Sequence, residues 1–268
     1  MDHAPVPGVK NVIAVAAGKG GVGKTTVTVN LVVALAKYGG RVGIIDGDVY
    51  GPNVQIMLGL DAQLSSDGKK IVPTEQHGIK VVSMGFLADG KAPIIWRGPM
   101  LHGVVRQFFQ DVRWGELDYL IVDMPPGTGY VALSLIQTGP VAGAIVVTTP
   151  QKVSLADSRR AVGMYRKLDV PTLGVIENMS HYTCPECRHE SDIFGRGGGS
   201  DVAEELGVPF LGQIPIYESI RVGSDSGVPI VTAEPDSPVA QAVMHVAERA
   251  AAQVSIASYE GVASSTTS

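Results

Sequence analysis

Seven short apolar runs alternate with longer amphipathic segments along this chain, and this alternation constrains the fold more than any other feature. The runs are rich in β-branched residues and have the length of buried strands. They are Val12 to Ala17, Val42 to Asp46, Ile79 to Met84, Tyr119 to Asp123, Gly143 to Thr149, Leu173 to Asn178 and Phe210 to Ile214. The predicted helices between them are Lys24 to Tyr38, Pro99 to Val112, Val153 to Leu168 and Gly199 to Leu206. This order predicts an α/β fold with a mostly parallel sheet, and right-handed crossovers place helices on both of its faces.

Two stretches interrupt the alternation. The polar stretch from Asp61 to Gly78 predicts a hairpin or loop, and the stretch from Met179 to Ser200 contains both cysteines, which suggests an insertion with a function. An Ala-rich helix is expected from Ser237 to about Val254. The Ser/Thr/Gly residues after it are too polar to bury, so we expect them to form a frayed tail. The 268 residues, 45% of them hydrophobic, are enough for one core. The predicted organisation is a short leader at 1–11, a single domain at 12–256 with a cysteine loop near 179–200, and a flexible tail at 257–268.

Residues 18–25 read G-K-G-G-V-G-K-T, directly after an apolar run and directly before a predicted helix, which is the context of a P-loop. The residues predicted to bind nucleotide here are Gly18, Lys19, Gly20, Gly21, Val22, Gly23, Lys24, Thr25 and Thr26. Glycines let the backbone amides wrap the β-phosphate, and the helix adds the positive end of its dipole. We expect Lys24 to neutralise the β- and γ-phosphates, Thr25 to ligate Mg²⁺ and Thr26 to bond the α-phosphate. A plain glycine turn would explain the glycines but not the Lys-Thr pair, so Mg-ATP is the expected ligand.

Lys19 is a second lysine near the beginning of the loop. Beside Lys24 it does not easily reach the same phosphates, so we expect it to reach nucleotide in a second subunit; a solvated loop lysine is the alternative. The pattern resembles the deviant Walker A class of P-loop ATPases, which includes the nitrogenase iron protein, the septum-positioning and plasmid-partition ATPases, and the Mrp/ApbC group. In that class the lysine completes the partner's site in an ATP sandwich dimer, much as an arginine finger does. The resemblance implies a homodimer in which Lys19 and Lys24 are catalytic.

Aspartates end two of the predicted strands. Asp123 lies where a Walker B carboxylate holds Mg²⁺ directly or through water. The following M-P-P-G-T-G segment predicts a rigid, glycine-hinged switch that contains Pro125 and Gly127, and Gly127 is placed to sense the γ-phosphate. Resemblance to the class assigns Asp48 the catalytic role of orienting the attacking water, and gives Asp46 a place in the shell of the metal. Aspartates at strand ends are also common turn or cap residues, which is the alternative for Asp48.

The two cysteines, Cys184 and Cys187, are separated by two residues. This spacing suits metal or redox chemistry better than a disulfide framework in a chain of this length. A Cys₄ site, whether [4Fe-4S] or zinc, needs four thiolates, so two chains must contribute, and a twofold axis between the two loops would bring the pairs together. Three alternatives stay open: a zinc site completed within one chain by His181 and His189, inert loop thiols, and a redox-active disulfide.

Motifs from Val12 to about Val254 resemble the Mrp/ApbC family of ATP-dependent iron-sulfur cluster carriers. They are G-K-G-G-V-G-K-T-T, D-G-D-V-Y-G-P-N at Asp46 to Asn53, W-R-G-P-M at Trp96 to Met100, D-M-P-P-G-T-G, E-N-M-S at Glu177 to Ser180, the CxxC pair and I-F-G-R-G-G-G at Ile193 to Gly199. The resemblance implies a slow, Mg-dependent ATPase that holds a labile [4Fe-4S] cluster between two subunits, ligated by Cys184 and Cys187, and passes it to apo-proteins. It also implies that Asn178 bonds the adenine edge, although an asparagine at a strand end is otherwise a turn former, and that Pro215 packs against the base. Many members of that family carry an additional N-terminal domain, and we expect only a short leader before the first strand here.

Charge and hydropathy exclude several classes of partner. The net charge is −5 and 18% of the residues are charged, so no overall basic field attracts nucleic acid or an anionic membrane. No stretch approaches the roughly 18 apolar residues of a membrane span, and the first residues do not resemble a signal peptide, so we expect a cytoplasmic protein in a reducing compartment. A positioning or partition ATPase with a structural zinc at the CxxC pair is the second hypothesis. That class usually needs a basic C-terminal helix, and no Lys or Arg follows Arg249. A metabolic ligase or synthetase on the same scaffold is the third.

Overall fold

The computed structural model describes residues 4–49, 51–61, 64–87, 98–184 and 186–265. The strands are β1 (Val9–Ala16), β2 (Val42–Asp46), β3 (Ser65–Ser66), β4 (Ile71–Val72), β5 (Thr74–Gln76), β6 (Ile79–Ser83), β7 (Leu117–Asp123), β8 (Gly143–Thr148), β9 (Thr172–Thr183), β10 (Glu190–Ser191) and β11 (Phe210–Ile216). The helices are α1 (Lys24–Lys37), α2 (Val54–Met57), α3 (Gly98–Gln110), α4 (Tyr130–Thr138), α5 (Lys152–Lys167), α6 (Gly198–Leu206), α7 (Glu218–Ser226), α8 (Ile230–Ala233) and α9 (Pro238–Ser265), with a 3₁₀ turn at Met84–Leu87. Three motifs extend outside the described residues, at Tyr50, at Trp96 with Arg97, and at Pro185.

Nine strands form the main sheet, in the order β10, β9, β8, β1, β7, β2, β6, β5, and β11 also pairs with β9. The seven parallel strands, β1, β2, β6, β7, β8, β9 and β11, correspond to the seven apolar runs. Strands β5 and β10 are antiparallel to their neighbours, and β3 and β4 form a separate hairpin within the polar stretch. The predicted mostly parallel sheet is therefore confirmed.

Helices cover both faces of the sheet, as the crossover rule requires. In β1, Ile13 and Val15 pack in one apolar cluster with residues of α1 and α9. The intervening Ala14 faces the other side and packs in a second cluster with residues of α3 and α4. Helices α5 and α6 bury a third, smaller cluster against β8 and β9. Because successive strand residues point to opposite faces, one short apolar strand serves two cores.

The structure differs from the sequence expectations near both ends. Strand β1 begins at Val9 rather than Val12, and Val6 in the predicted leader is buried in the core. At the other end, α9 continues past Val254 to Ser265, so this part of the predicted tail is helical. The residues that follow Val254 include no proline and few strong helix breakers, and Ser258 Oγ donates to Asn11 Oδ1 at 3.0 Å. No described helix has both the length and the apolar character that crossing a membrane demands.

Candidate nucleotide site and cysteine hairpin

The phosphate loop connects β1 to α1 at the carboxyl edge of the sheet, where ligands bind in open α/β folds. Residues 19–26 line a pocket of about 250 Å³ together with Asp48, Asn53, Met57 and Pro126. Gly23 precedes the helix in the left-handed region, with φ 76°, and a Cβ there would come within 2.3 Å of Asn178 Nδ2. The sequence therefore needs glycine at this position for its backbone angle and for the close approach of the asparagine.

Asp123 is the centre of a buried polar cluster at the end of β7. Its Oδ2 lies 2.7 Å from Lys24 Nζ and accepts a 2.7 Å hydrogen bond from Thr25 Oγ1. Its Oδ1 accepts a 2.7 Å hydrogen bond from Thr28 Oγ1. Asp123 is fully buried and Lys24 is only 7% exposed. The hydroxyl of Thr25 and the carboxylate of Asp123 are oxygen donors side by side. Because both oxygens of Asp123 already accept hydrogen bonds, these residues fit a Mg²⁺ that Thr25 ligates and that Asp123 holds through water.

Asp46 ends β2 beside this cluster and is also fully buried. Its carboxylate accepts hydrogen bonds from the N–H of Asp48 (3.2 Å), the N–H of Val54 (3.1 Å) and Ser83 Oγ (3.0 Å). Burial, followed by the charge of Asp123, raises the pKa of Asp46 to about 7. Since both oxygens already accept hydrogen bonds, the arrangement suits a residue of the outer shell of a metal better than a direct ligand.

The two remaining predicted catalytic residues line the same pocket. Asp48 is half-buried, and its Oδ1 accepts the N–H of Gly51 at 3.2 Å. Lys19 is half-buried, and within the described part of the chain its ammonium makes no hydrogen bond or ion pair. Both side chains therefore lie at the phosphate loop. Of the two lysines in the loop, Lys24 is the one that pairs with a carboxylate, that of Asp123.

The predicted switch segment is attached to β1. Pro125 is buried, and the N–H of Met124 donates to Val15 O at 2.9 Å. Gly127, with φ 82°, donates its N–H to Ala17 O at 3.0 Å. Gly127 was predicted to sense the γ-phosphate, and its N–H is bonded here to the chain itself, so sensing through this N–H would require that bond to break.

An apolar pocket of about 550 Å³ adjoins the phosphate loop and shares Gly23 and Thr26 with it. Asn178 and Pro215, the residues expected at the base, both line this pocket. Asn178 Nδ2 donates to the carbonyl of Val22 at 2.9 Å, so the asparagine also fastens β9 to the phosphate loop. Its proposed bond to adenine stays a prediction.

The cysteine stretch is a hairpin rather than a loop, because β9 continues five residues beyond the predicted end at Asn178. Thr183 in β9 pairs with Glu190 in β10, and the N–H of Cys184 donates to His189 O at 2.9 Å. This pairing holds the CxxC motif at the tip of a defined element.

Both thiols are free; Cys184 is half-buried and Cys187 is exposed. Hydrogen bonds from the backbone N–H of Cys187, then from that of Glu186, lower the pKa of the Cys184 thiol. Amide donors stabilise the charged sulfur, and the thiolate is the form that binds metals. The hairpin therefore presents one activated and one accessible thiol.

The histidines do not complete a metal site with these thiols. His181 Nδ1 lies 2.9 Å from Ser180 Oγ, and its Nε2 lies 4.0 Å from Glu190 Oε1. Throughout the described ranges, no three side chains of His, Cys, Asp or Glu are grouped to hold a metal ion. The Cys₂His₂ site within one chain, considered for His181 and His189, is thus not assembled by the described residues.

Comparisons with known proteins place this geometry in a family. A family model described as ParA, NUBPL iron-transfer P-loop NTPase, matches residues 8–251. This chain belongs to that family. It is similar to the iron-sulfur cluster carrier protein of Synechocystis, with 52% identity over 262 residues that cover 96% of this chain and 74% of the relative. The protein of the same name from Escherichia coli is 45% identical over 251 residues, which cover 93% of this chain and 68% of the relative.

Solved structures agree with this assignment. The nucleotide-binding protein of Archaeoglobus fulgidus in complex with ADP is 37% identical, with a TM-score of 0.77 over 86% of this chain and 91% of that one. The septum site-determining protein MinD of Pyrococcus horikoshii, complexed with Mg-ADP, is 28% identical, with a TM-score of 0.68 over 89% of this chain and 94% of that one. The predicted family, fold and enzyme class, a P-loop ATPase, are confirmed.

Three polar residues of this family member were not predicted from its sequence. Thr28 bonds the buried Asp123, and Ser83 bonds the buried Asp46. Glu177, in the middle of the apolar strand β9, is fully buried. A charged residue inside a buried strand was the one available signal, because such a group must find partners.

Proposed function

We propose that this chain is an ATP-dependent carrier that assembles a [4Fe-4S] cluster between two subunits and delivers it to apo-proteins. The observation that carries the proposal is the cysteine hairpin itself, a free thiol pair on a strand that is bonded to the phosphate loop through Asn178 and Val22. The names of the Synechocystis and Escherichia coli relatives support it. Free thiols persist in a reducing compartment, so we infer a cytoplasmic location.

The nucleotide site supports hydrolysis of ATP to ADP and phosphate. Lys24 would neutralise the β- and γ-phosphates. Thr25 and Asp123 would hold Mg²⁺, which would supply positive charge where negative charge develops on the phosphates. Asp48 orients a water molecule toward the γ-phosphorus. The oxygen of that water forms the new bond to phosphorus as the bond to the β–γ bridging oxygen breaks. ADP leaves with the electron pair, and a proton of the water passes to solvent.

Two chains are required for the cluster, because a [4Fe-4S] cluster takes four thiolates and each chain has two. Cys184 and Cys187 of each subunit would supply them. The lowered pKa of Cys184 favours the thiolate, so iron binding displaces fewer protons at neutral pH.

The carboxyl edge of the sheet carries apolar side chains that suit a dimer interface. They lie in the first turns of the helices that follow β2, β6, β7 and β8. They are Ile56 (56% exposed), Met100 (54%), Tyr130 (65%) and Val153 (66%). Exposed apolar groups gathered on one side of a protein are typical of association surfaces. A homodimer formed through this edge would bury them and bring Lys19 of each subunit toward the phosphates of the other.

Anaerobic reconstitution with iron and sulfide tests the carrier proposal. Wild type should develop the broad visible absorbance of sulfur-to-iron charge transfer. A Cys184→Ala, Cys187→Ala variant should lack this absorbance and still bind ATP. A His181→Ala, His189→Ala variant is the matched control, since it should keep the absorbance. Stoichiometric zinc that iron does not replace, or loss of metal in the histidine variant, would contradict the carrier proposal and leave the ATPase assignment intact.

A further inference from the structure

Glu177 is a fully buried carboxylate with three hydrogen-bond donors. Its Oε1 accepts the N–H of Gly197 at 3.0 Å and Gln213 Nε2 at 2.9 Å, and its Oε2 accepts the N–H of Gly199 at 2.5 Å. A buried charge is retained only when it is paired or well hydrogen-bonded, and amides at the beginning of a helix favour an anion. Glu177 therefore fixes the beginning of α6 and the residues before it.

The glycines around this contact are explained by the close approach. Gly197 has φ 85°, which favours glycine, and a Cβ on Gly199 would lie 2.8 Å from the Cβ of Glu177. The G-R-G-G-G part of the sequence motif is thus shaped to receive a carboxylate from β9.

The segment from Asp192 to Gly199, here called the glycine-rich segment, faces the apolar pocket beside the phosphate loop. Ile193 and Phe194 line that pocket with Gly23 and Thr26, and they are 57% and 37% exposed. A flat aromatic base that binds in this pocket would pack against both side chains.

The same segment is joined to the cysteine hairpin. Arg196 Nη1 lies 2.7 Å from Glu190 Oε2, and Glu190 pairs with Thr183 in the strand that leads into Cys184. The ion pair therefore links the glycine-rich segment to β10, the strand that pairs with β9 next to Cys184.

Glu177 also sets where the glycine-rich segment lies relative to the phosphate loop. The next residue, Asn178, bonds the carbonyl of Val22 in the phosphate loop, and successive residues of a strand point to opposite faces. Through these two neighbours β9 fixes the phosphate loop on one side and the glycine-rich segment on the other. A nucleotide would contact the phosphate loop through its phosphates and the glycine-rich segment through its base. Its affinity would therefore depend on the distance between these two elements.

We propose that Glu177 is a positioning residue that couples occupancy of the apolar pocket by the nucleotide base to the exposure and geometry of Cys184 and Cys187. The inference rests on the proposed function in taking these cysteines as the cluster ligands. Its physical content is a coupling between two sites through one anchored segment, and such coupling is reciprocal for binding free energies.

The test measures alkylation of the two thiols by iodoacetamide in metal-free protein, with rates from mass spectrometry. In wild type, Mg-ADP should change the alkylation rate about fivefold or more, the low end of typical coupling between sites. Mg-tripolyphosphate, which has phosphates but no base, should change it less than about twofold, since it contacts only one of the two coupled elements. Glu177→Gln keeps the volume but turns an NH₂ group toward backbone amides, so it should remove the response to Mg-ADP while leaving the affinity for tripolyphosphate unchanged.

Glu205→Gln on α6 is the matched control, because it removes an exposed carboxylate that pairs with Arg159 and has no contact with the pocket. It should retain the wild-type response. If Glu177→Gln does not fold by circular dichroism, Phe194→Ala replaces it, and this variant should likewise lose the response to Mg-ADP and keep tripolyphosphate affinity. A general loss of structure would not separate the two ligands in this way.

Three results would overturn the coupling: equal responses to Mg-ADP and tripolyphosphate, an unchanged response in the folded Glu177→Gln variant or its replacement, or no response in wild type. The carrier proposal is assessed separately by reconstitution of wild type. A cluster that forms without any thiol response to Mg-ADP contradicts the coupling alone, whereas a thiol response without any cluster contradicts the carrier proposal alone.

Discussion

Thr28→Val tests the buried polar cluster that holds Asp123. The hydroxyl of Thr28 lies 2.7 Å from Asp123 Oδ1 and 2.9 Å from the carbonyl of Lys24. A hydroxyl has one proton to donate, and the shorter contact with the charged acceptor takes it. Among the described residues this is the only hydrogen bond to Oδ1, so valine, which has nearly the same volume, leaves a buried carboxylate oxygen unsatisfied.

The expected loss follows from that geometry. A hydrogen bond to a charged group contributes about 1.5–3 kcal/mol, so we expect the free energy of unfolding to fall by about 2 kcal/mol. For a chain of this size such a loss lowers the thermal midpoint by about 4–8 °C. The measurement is urea unfolding of nucleotide-free protein followed by circular dichroism.

Thr138→Val is the matched control for this substitution. Thr138 donates to the carbonyl of Ser134, four residues earlier in α4, and its Oγ1 lies 3.1 Å from His102 Nδ1, so both of its partners are neutral groups or a histidine ring rather than a carboxylate. Its replacement should cost less than about 1 kcal/mol, the usual net value of a neutral hydrogen bond. Equal losses of unfolding free energy in the two variants, or a loss below about 0.5 kcal/mol for Thr28→Val, would show that the hydroxyl of Thr28 does not stabilise the buried carboxylate of Asp123.

Four further predictions follow from the same contacts. Lys19→Ala should lower the rate of phosphate release by about a thousandfold, the low end of the effect of a cation supplied in trans, and should largely keep nucleotide affinity. The control Lys69→Ala, at an exposed lysine, should match wild type. Unchanged turnover in Lys19→Ala would contradict the trans role. Burial raises the pKa of Asp46 in the folded protein to about 7, above its unfolded value of about 4. The Mg-free fold should therefore lose stability as the pH rises between those two values, so the urea midpoint should fall over that range in wild type and fall less in Asp46→Asn. Parallel plots of urea midpoint against pH for the two proteins would contradict this prediction. The lowered pKa of Cys184 should let it alkylate at a lower pH in folded than in urea-unfolded protein, and coincident pH profiles would refute the amide–sulfur bonds. Gly199→Ala forces a Cβ against Glu177 and should cost about 1–3 kcal/mol in urea unfolding, which a neutral substitution would contradict.

Local patterns were sufficient to predict the sheet and the phosphate loop. Each parallel strand contains a short, mostly apolar run, and the loop is a contiguous motif between a strand and a helix. Helix α4 was not predicted, since its short apolar sequence follows directly on the glycine switch and has no strong helix periodicity. Helix α9 was predicted too short, because the polar sequence after Val254 was taken to exclude a helix although its Ala and Glu residues favour one.

The polar network of the site was beyond the reach of sequence patterns. Thr28 and Asp123 are 95 residues apart, and Ser83 and Asp46 are 37 residues apart. Such pairs depend on the order in which strands join the sheet, and no spacing along the chain encodes them. The cysteine hairpin was likewise described as a loop, because the pairing of β9 with the two-residue strand β10 leaves little trace in the sequence.

Native mass spectrometry of anaerobically reconstituted protein tests most directly whether the cluster site is shared between two chains. We expect one dominant species that contains two chains and a single [4Fe-4S] cluster in wild type, and metal-free chains in its place in the Cys184→Ala, Cys187→Ala variant. Single chains that each hold a complete metal centre and still hydrolyse ATP would contradict a cluster site shared between two chains.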